Sequence, residues 1–168
     1  TVSPIKDANG NLLGFSTVGR DIGARKRGEV ERDRLVRQLG ERVKELTTMY
    51  AVAHLLQMEE KSTRTLLEEI TALLPPAWQY PEIAAVRVQL DGMEFKTPNF
   101  HSSRWSQQAR FTTTDGRKGT VEVVYLAKRP PAVEGPFLAE ERNLIDAVAE
   151  NLKLYLDRKH LESEILEI

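Results

Sequence analysis

Cysteine is absent from this 168-residue chain, and histidine occurs only three times. The first absence excludes disulfides, thiolate nucleophiles, Cys-ligated zinc, iron–sulfur clusters and thioether-bound tetrapyrroles. The histidines, His54, His101 and His160, are far apart, and none has the His-x-x-x-His or Glu-x-x-His spacing of a metal site. We therefore predict that the chain holds no metal ion and no cofactor.

The chain also lacks an excess of either charge and lacks a long apolar run. It has 24 Lys and Arg against 25 Asp and Glu, so no overall field attracts nucleic acid or anionic lipid. No apolar stretch approaches the roughly 20 residues that span a membrane, and no signal peptide is recognisable. These features predict a cytoplasmic protein without nucleic-acid or membrane contact. Since residue 1 is threonine rather than methionine, we expect the chain to be part of a longer protein.

One group of residue types could in principle support catalysis. His101-Ser102-Ser103 and Asp115 contain the ingredients of a hydrolytic triad. They fall in predicted loops without a nucleophile-elbow motif, and triads depend on geometry rather than on composition. We therefore predict that the chain has no catalytic residues and is not an enzyme.

From residue 29 to about residue 59 the apolar residues follow a helical period. Six of them alternate at steps of three and four, the a/d spacing of a coiled coil, and we call them the entry seam: Val36, Leu39, Val43, Leu46, Tyr50 and Ala53. Charged residues such as Arg42 and Glu45 lie between them. So narrow a stripe favours a partner helix. The alternative is a single amphipathic helix that packs on its own domain.

The middle of the chain predicts one helix, two hairpins and another helix. The first helix of this middle part is capped by Ser62 or Thr65 and ends at Pro75. The last helix of the chain starts at Gly135-Pro136. The strands between them are predicted at 83–90, 93–97, 107–113 and 119–126. This order predicts an α+β fold with an antiparallel sheet and helices packed on one face.

Both ends of the chain carry further elements. At the start, Asn9-Gly10 supplies the positive φ angles of a tight turn. The apolar runs beside this turn contain Val2, Ile5, Leu12, Leu13, Phe15 and Val18. Near the end, coiled-coil spacing returns in a shifted frame at the residues that we call the exit seam, Leu154, Leu161 and Ile165. We expect the helix that carries the entry seam and the last helix of the chain to extend from the domain as a coiled-coil bundle.

Two stretches of the chain resemble sensory domains. The beginning of the chain resembles the last two strands and the exit motif of a PAS domain. The resemblance is carried by Pro4-Ile5-Lys6-Asp7, Gly10, Gly14-Phe15 and Arg20-Asp21-Ile22. Gly23 stands where the exit motif usually has threonine. Residues 43–157 resemble a small GAF domain. The resemblance is strongest at 42–46, 77–83 and 137–145. The order of PAS exit, helix and GAF is similar to that in sensor histidine kinases and related regulators.

This resemblance implies a PAS hairpin at 1–28, a signalling helix at 29–45, a GAF-like domain at 46–156 and an exit helix at 157–168. It implies a non-catalytic relay in a two-component system, which transmits conformational change through the parallel helices of a homodimer. An upstream PAS domain and a downstream output domain would belong to the same chain. One alternative is a GAF receptor for a small molecule, with Phe100, His101 and Trp105 as candidate binding residues. The other is a purely structural dimerisation module.

Overall fold

The computed structural model describes residues 4–6, 8–9, 12–15 and 18–166. Part of the predicted PAS hairpin, including Gly10 of its turn, lies outside the described residues, as do Glu167 and Ile168 of the predicted exit helix. The chain divides into two compact units, Thr1–Gly40 and Glu41–Ile168. None of the described helices is both long enough and apolar enough to cross a membrane.

The first unit contains a two-stranded antiparallel hairpin. Strand β1 (Pro4–Lys6) pairs with strand β2 (Leu12–Phe15), and Pro4 lies opposite Phe15. The prediction of a hairpin in this segment is confirmed. Whether the hairpin belongs to a PAS domain stays a prediction.

Helix α1 (Val18–Leu55) begins in the first unit and ends in the second. Val18, expected in the second strand, instead begins the helix, which therefore starts well before the predicted position at Glu29. Gly23 and Gly28 each lower the stability of the helix by about 1 kcal/mol relative to Ala. The arginine, lysine and glutamate residues around them are good helix formers, so the helix continues through both glycines.

The second unit is an α+β domain, as predicted. Its elements, in addition to the end of α1, are α2 (Thr63–Leu73), β3 (Ala84–Leu90), β4 (Met93–Lys96), β5 (Trp105–Thr112), β6 (Lys118–Tyr125) and α3 (Ala139–Leu166). The strands form an antiparallel sheet in the order β4-β3-β6-β5. The edge strand β5 contacts α3, and α2 contacts β3 and β4.

Local signals explain two of the helix boundaries. Ser62 caps α2, because its hydroxyl accepts a hydrogen bond from the backbone N–H of Thr65. The last helix starts at Ala139 rather than at Pro136, so its predicted start is corrected. Before it, Glu134 and Phe137 form an isolated β-bridge, and Gly135 between them has φ of 55°, a conformation that glycine adopts readily.

The core lies on one face of the sheet. Val86 and Val88 of β3 and Val121 and Val123 of β6 are fully buried on that face. The helices and the segment after α2 cover them with Val52, Leu66, Leu67, Ile70, Trp78, Leu144, Ile145, Val148 and Leu152. The Trp78 indole N–H donates to the Oε1 of Gln107 at 3.2 Å, so this buried polar group is satisfied.

Candidate helical interface

The second-unit part of α1 carries a stripe that faces its own core. Glu45 and Val52 are buried on this stripe, Met49 packs against the core cluster, and the buried Leu56 continues the stripe just after the end of the helix. The four positions are separated by steps of four, three and four residues, which places them on one side of the helix. This inward stripe anchors α1 to its own domain.

The entry seam lies on a different side of the same helix. In the second unit, Val43, Leu46 and Tyr50 expose 53%, 52% and 73% of their surface, and Ala53 is half-buried. In the first unit, Val36 and Leu39 are also exposed. Packing of α1 on its own domain therefore leaves these apolar side chains uncovered. A regular row of large apolar side chains in water is typical of an interaction surface.

Helix α3 repeats this arrangement. Leu144, Val148, Leu152 and Tyr155 are buried against the sheet. The exit-seam residues Leu154, Leu161 and Ile165 expose 54%, 57% and 67% of their surface. Together with Ala147, Asn151 and Arg158 they follow steps of three and four residues along one side of the helix. We call these six residues the outer stripe of α3.

Within the second unit, α1 and α3 run in the same direction. Near the start of α3, burial raises the pKa of Glu141, and the nearby carboxylate of Glu41 on α1 adds to that rise. Farther along, the Arg158 guanidinium donates to the backbone carbonyl of Leu56, just after the end of α1, at 2.8 Å. The chain therefore enters this unit at the end where α3 begins, and α3 leaves at the opposite end.

The two seams meet at a groove between the helices. The groove has a volume of about 250 Å³ and is lined by Ala53 of the entry seam and by Leu154, Asn151 and Arg158 of the outer stripe. Ala53 has the smallest side chain of the entry seam, so the helices leave a depression beside Leu154. A depression next to a projecting leucine is the arrangement that knobs-into-holes packing uses.

The hairpin between β5 and β6 connects the sheet to the part of α3 that leaves the domain. The backbone N–H of Thr114 donates to the Asp157 carboxylate at 2.7 Å, and this bond lowers the pKa of Asp157. The neighbouring Asp115 lies 3.7 Å from the Nδ1 of His160. The sheet therefore contacts α3 one turn before Leu161.

Glu141 joins three further segments at the other end of α3. Its buried carboxylate accepts hydrogen bonds from the backbone N–H groups of Leu138 and Gln79, at 2.7 and 2.8 Å, and from the Tyr125 hydroxyl at 2.9 Å. Burial outweighs these bonds and raises its pKa. Burial also raises the pKa of Tyr125. Sequence reasoning missed this role of Glu141, because its partners are distant in sequence.

The three candidate ligand-binding residues are not brought together. Trp105 packs against the core cluster on the helix-covered face of the sheet. Phe100 lies 4.8 Å from the guanidinium of Arg87, which belongs to the other face, and His101 is exposed. Four surface grooves of the described residues are lined by other side chains than these three.

The sheet face opposite the helices carries a polar cluster that sequence reasoning missed. Glu122 accepts hydrogen bonds from Arg87 at 2.6 Å, Ser106 at 2.7 Å and Gln108 at 2.9 Å. Burial works to raise the pKa of Glu122, but these three bonds outweigh it and hold the pKa below its usual value. A charged residue between Val121 and Val123 was the signal for this cluster. Glu122 is therefore bound on three sides by groups of its own domain.

Comparison with protein-family models, with curated proteins and with solved structures found no match. The resemblance to PAS and GAF domains therefore rests on the residues quoted for it. Among the described residues, the entry seam of α1 and the exit seam of α3 expose rows of large apolar side chains.

Proposed function

We propose that the chain is a non-catalytic relay segment of a signal-transduction protein, of the kind found in sensor histidine kinases. In this proposal α1 and α3 pair with the same helices of a second copy as a parallel coiled-coil bundle, and the second unit is a GAF-like body. The observation that carries the proposal is the exposure of the entry seam, since contact of a row of valine and leucine side chains with water is unfavourable.

The composition of the entry seam favours two parallel strands. Its spacing places Val36, Val43 and Tyr50 at the a positions of the heptad, and Leu39, Leu46 and Ala53 at the d positions. β-branched residues at a with leucine at d favour a parallel dimer. Val36, Leu39, Val43 and Leu46 fit this rule, and the seam then changes at Tyr50 and Ala53, where α3 lies beside α1.

The relay would operate through the parallel course of α1 and α3. An upstream PAS domain would rotate or shift α1, and the body would pass that change to α3 and to an output domain beyond it. The contacts at Glu141 and at the Thr114–Asp157 bond connect the sheet to the two ends of α3 and give the motion a route. Such a relay requires two packings of similar free energy.

A matched pair of variants tests the interface. We expect Leu39→Glu to abolish or strongly weaken self-association, because it places a carboxylate in an apolar seam. Gln38→Glu adds the same charge at the neighbouring exposed position outside the seam and should leave association unchanged. Sedimentation velocity of the two variants at equal concentration measures the difference. Equal behaviour of the two variants would contradict the proposed interface.

Insertions after Gly40 test whether the register of the seam matters. One inserted residue turns the following Val43 and Leu46 by about 100° around the helix relative to Val36 and Leu39. Seven inserted residues restore the heptad frame. We expect the first insertion to weaken the dimer and the second to preserve it, as measured by sedimentation equilibrium. If both insertions leave the dimer equally strong, a register-dependent relay is wrong.

A further inference from the structure

Asn151 is one of two polar residues in the outer stripe of α3, and Arg158 is the other. Its side chain is half-buried and lines the groove that Ala53 and Leu154 also line. Its amide makes no hydrogen bond to any residue within the described part of the chain. An asparagine amide has two donors and one acceptor oxygen, so all of its bonding capacity is left for another molecule.

The spacing of the outer stripe gives Asn151 a defined position in a coiled coil. Asn151, Arg158 and Ile165 are separated by seven residues and occupy the a positions, and Leu154 and Leu161 occupy the d positions. The Arg158 guanidinium is already bonded to Leu56 of its own chain. Asn151 is therefore the a-position residue of this stripe whose polar atoms have no partner in the described chain.

We propose that the partner of Asn151 is Asn151 of a second copy of this chain. This inference rests on the proposed dimer and deepens it by naming the contact that fixes its register. A twofold axis parallel to the helices places identical a positions side by side. The amide oxygen of one copy then accepts from the amide nitrogen of the other, and both groups are satisfied by the same interaction.

A second copy fits Asn151 better than another occupant does. A slip of one heptad would set Asn151 opposite Arg158, and an antiparallel arrangement would move Leu161 away from the Leu161 of the other copy. The slip leaves the two amides unpaired beside Leu154, which costs free energy in an apolar seam, and the antiparallel arrangement separates the two Leu161 side chains. One asparagine at an a position is the device by which coiled coils exclude such alternatives, at a cost in stability.

The absence of cysteine makes a direct test possible. In a parallel dimer in register, the single variant Leu161→Cys forms a disulfide with its own copy under oxidation, because equivalent d positions lie within disulfide reach. A mixture of Leu154→Cys and Leu161→Cys chains forms a mixed disulfide only when one helix slips by seven residues. We expect the Leu161→Cys disulfide in quantity and almost no mixed disulfide.

Removing the amide should then tighten the dimer and loosen its register. We expect Asn151→Leu to lower the dissociation constant of the dimer about tenfold or more and to raise the yield of mixed disulfide. Ser163→Leu, at an exposed position on the opposite side of the same helix, is the control and should change neither quantity. As a second variant, Asn151→Asp should weaken the dimer at neutral pH and recover as the carboxyl is protonated, because two facing carboxylates repel.

The outcomes separate the two levels of the proposal. If the chain dimerises but Asn151→Leu changes neither the dissociation constant nor the yield of mixed disulfide, the role of Asn151 is wrong and the dimer stands. If Asn151→Leu lowers only the stability of the monomer, Asn151 acts within its own chain and the inference is again wrong. If the parent chain stays monomeric at every concentration, both the inference and the proposed function fail.

Discussion

Helix α1 carries two apolar stripes that differ in what covers them. The inward stripe, with Val52, packs into the core cluster of the second unit. The entry seam, with Val43 and Leu46, has the same kinds of residue and stays exposed. A helix that needed only to complete its own domain would require one such stripe. The entry seam goes beyond that requirement, and α3 repeats the pattern with its outer stripe.

The largest expected effect distinguishes the two sides of α3. Leu152 is fully buried and Leu154 is mostly exposed, although both are leucines two residues apart. We expect Leu152→Ala to lower the free energy of unfolding by about 2–5 kcal/mol. Leu154→Ala should change the unfolding of the monomer by less than about 0.5 kcal/mol and should weaken the dimer. Urea denaturation at low and high protein concentration measures both effects; similar losses for the two variants at low concentration would remove the distinction.

Two glycines sharpen the same comparison between the body and the helix. A Cβ on Gly119 would lie 2.1 Å from the ring of Phe111, whereas a Cβ on Gly40 of α1 would meet nothing within 4 Å. We therefore expect Gly119→Ala to destabilise the domain by about 1–3 kcal/mol through overpacking. Gly40→Ala should stabilise the helix by up to about 1 kcal/mol. Thermal unfolding of the two variants checks the opposite signs, and two shifts of the same sign would contradict the packing described for Phe111.

The buried end of α3 predicts a pH dependence. The pKa of Glu141 is raised in the folded state above its ordinary value of 4.5. Its contribution to stability is therefore complete below that value and is lost as the pH rises through the folded pKa. Glu141→Gln should flatten the fall in unfolding free energy with rising pH above 4.5. Glu140→Gln, at the adjacent position, should leave the slope as it is. A slope that is the same in both variants would show that Glu141 does not titrate differently in the folded state.

The smallest expected effect concerns the cap of α2, which belongs to the body alone. Ser62→Ala removes the acceptor for the Thr65 backbone N–H and should cost about 1 kcal/mol. Because Ser62 lies on neither seam, the dissociation constant of the dimer should not change. Denaturation and sedimentation of the same sample check the two expectations. A change in association would mean that α2 takes part in the interface.

Local patterns predicted much of the fold, and contacts between distant residues explain what they missed. The strands of the sheet were found within two residues because Asp91-Gly92 and Asp115-Gly116 mark their turns, and Gly92 and Gly116 both have φ of 89°. The start of α3 was missed, since the bridge between Glu134 and Phe137 delays it.

The candidate sites were predictable to different degrees. The entry seam could be found from spacing and flanking charges, since both depend on neighbours along one helix. Phe100 and Trp105 were proposed for one pocket because both are aromatic. Their side chains lie on opposite faces of the sheet, and the irregular sequence between them does not reveal that difference. Glu122 and Glu141 were missed because each collects its hydrogen-bond donors from several elements.

The central claim is that the exposed seams of α1 and α3 bind a second copy of this chain. Sedimentation equilibrium of the 168-residue chain over a wide range of concentrations tests it most directly. A reversible monomer–dimer equilibrium that Leu46→Glu abolishes, and that a charge placed at Gln38 does not affect, is the expected result. A chain that remains monomeric at the highest concentration, or a dimer that survives Leu46→Glu unchanged, would contradict the claim.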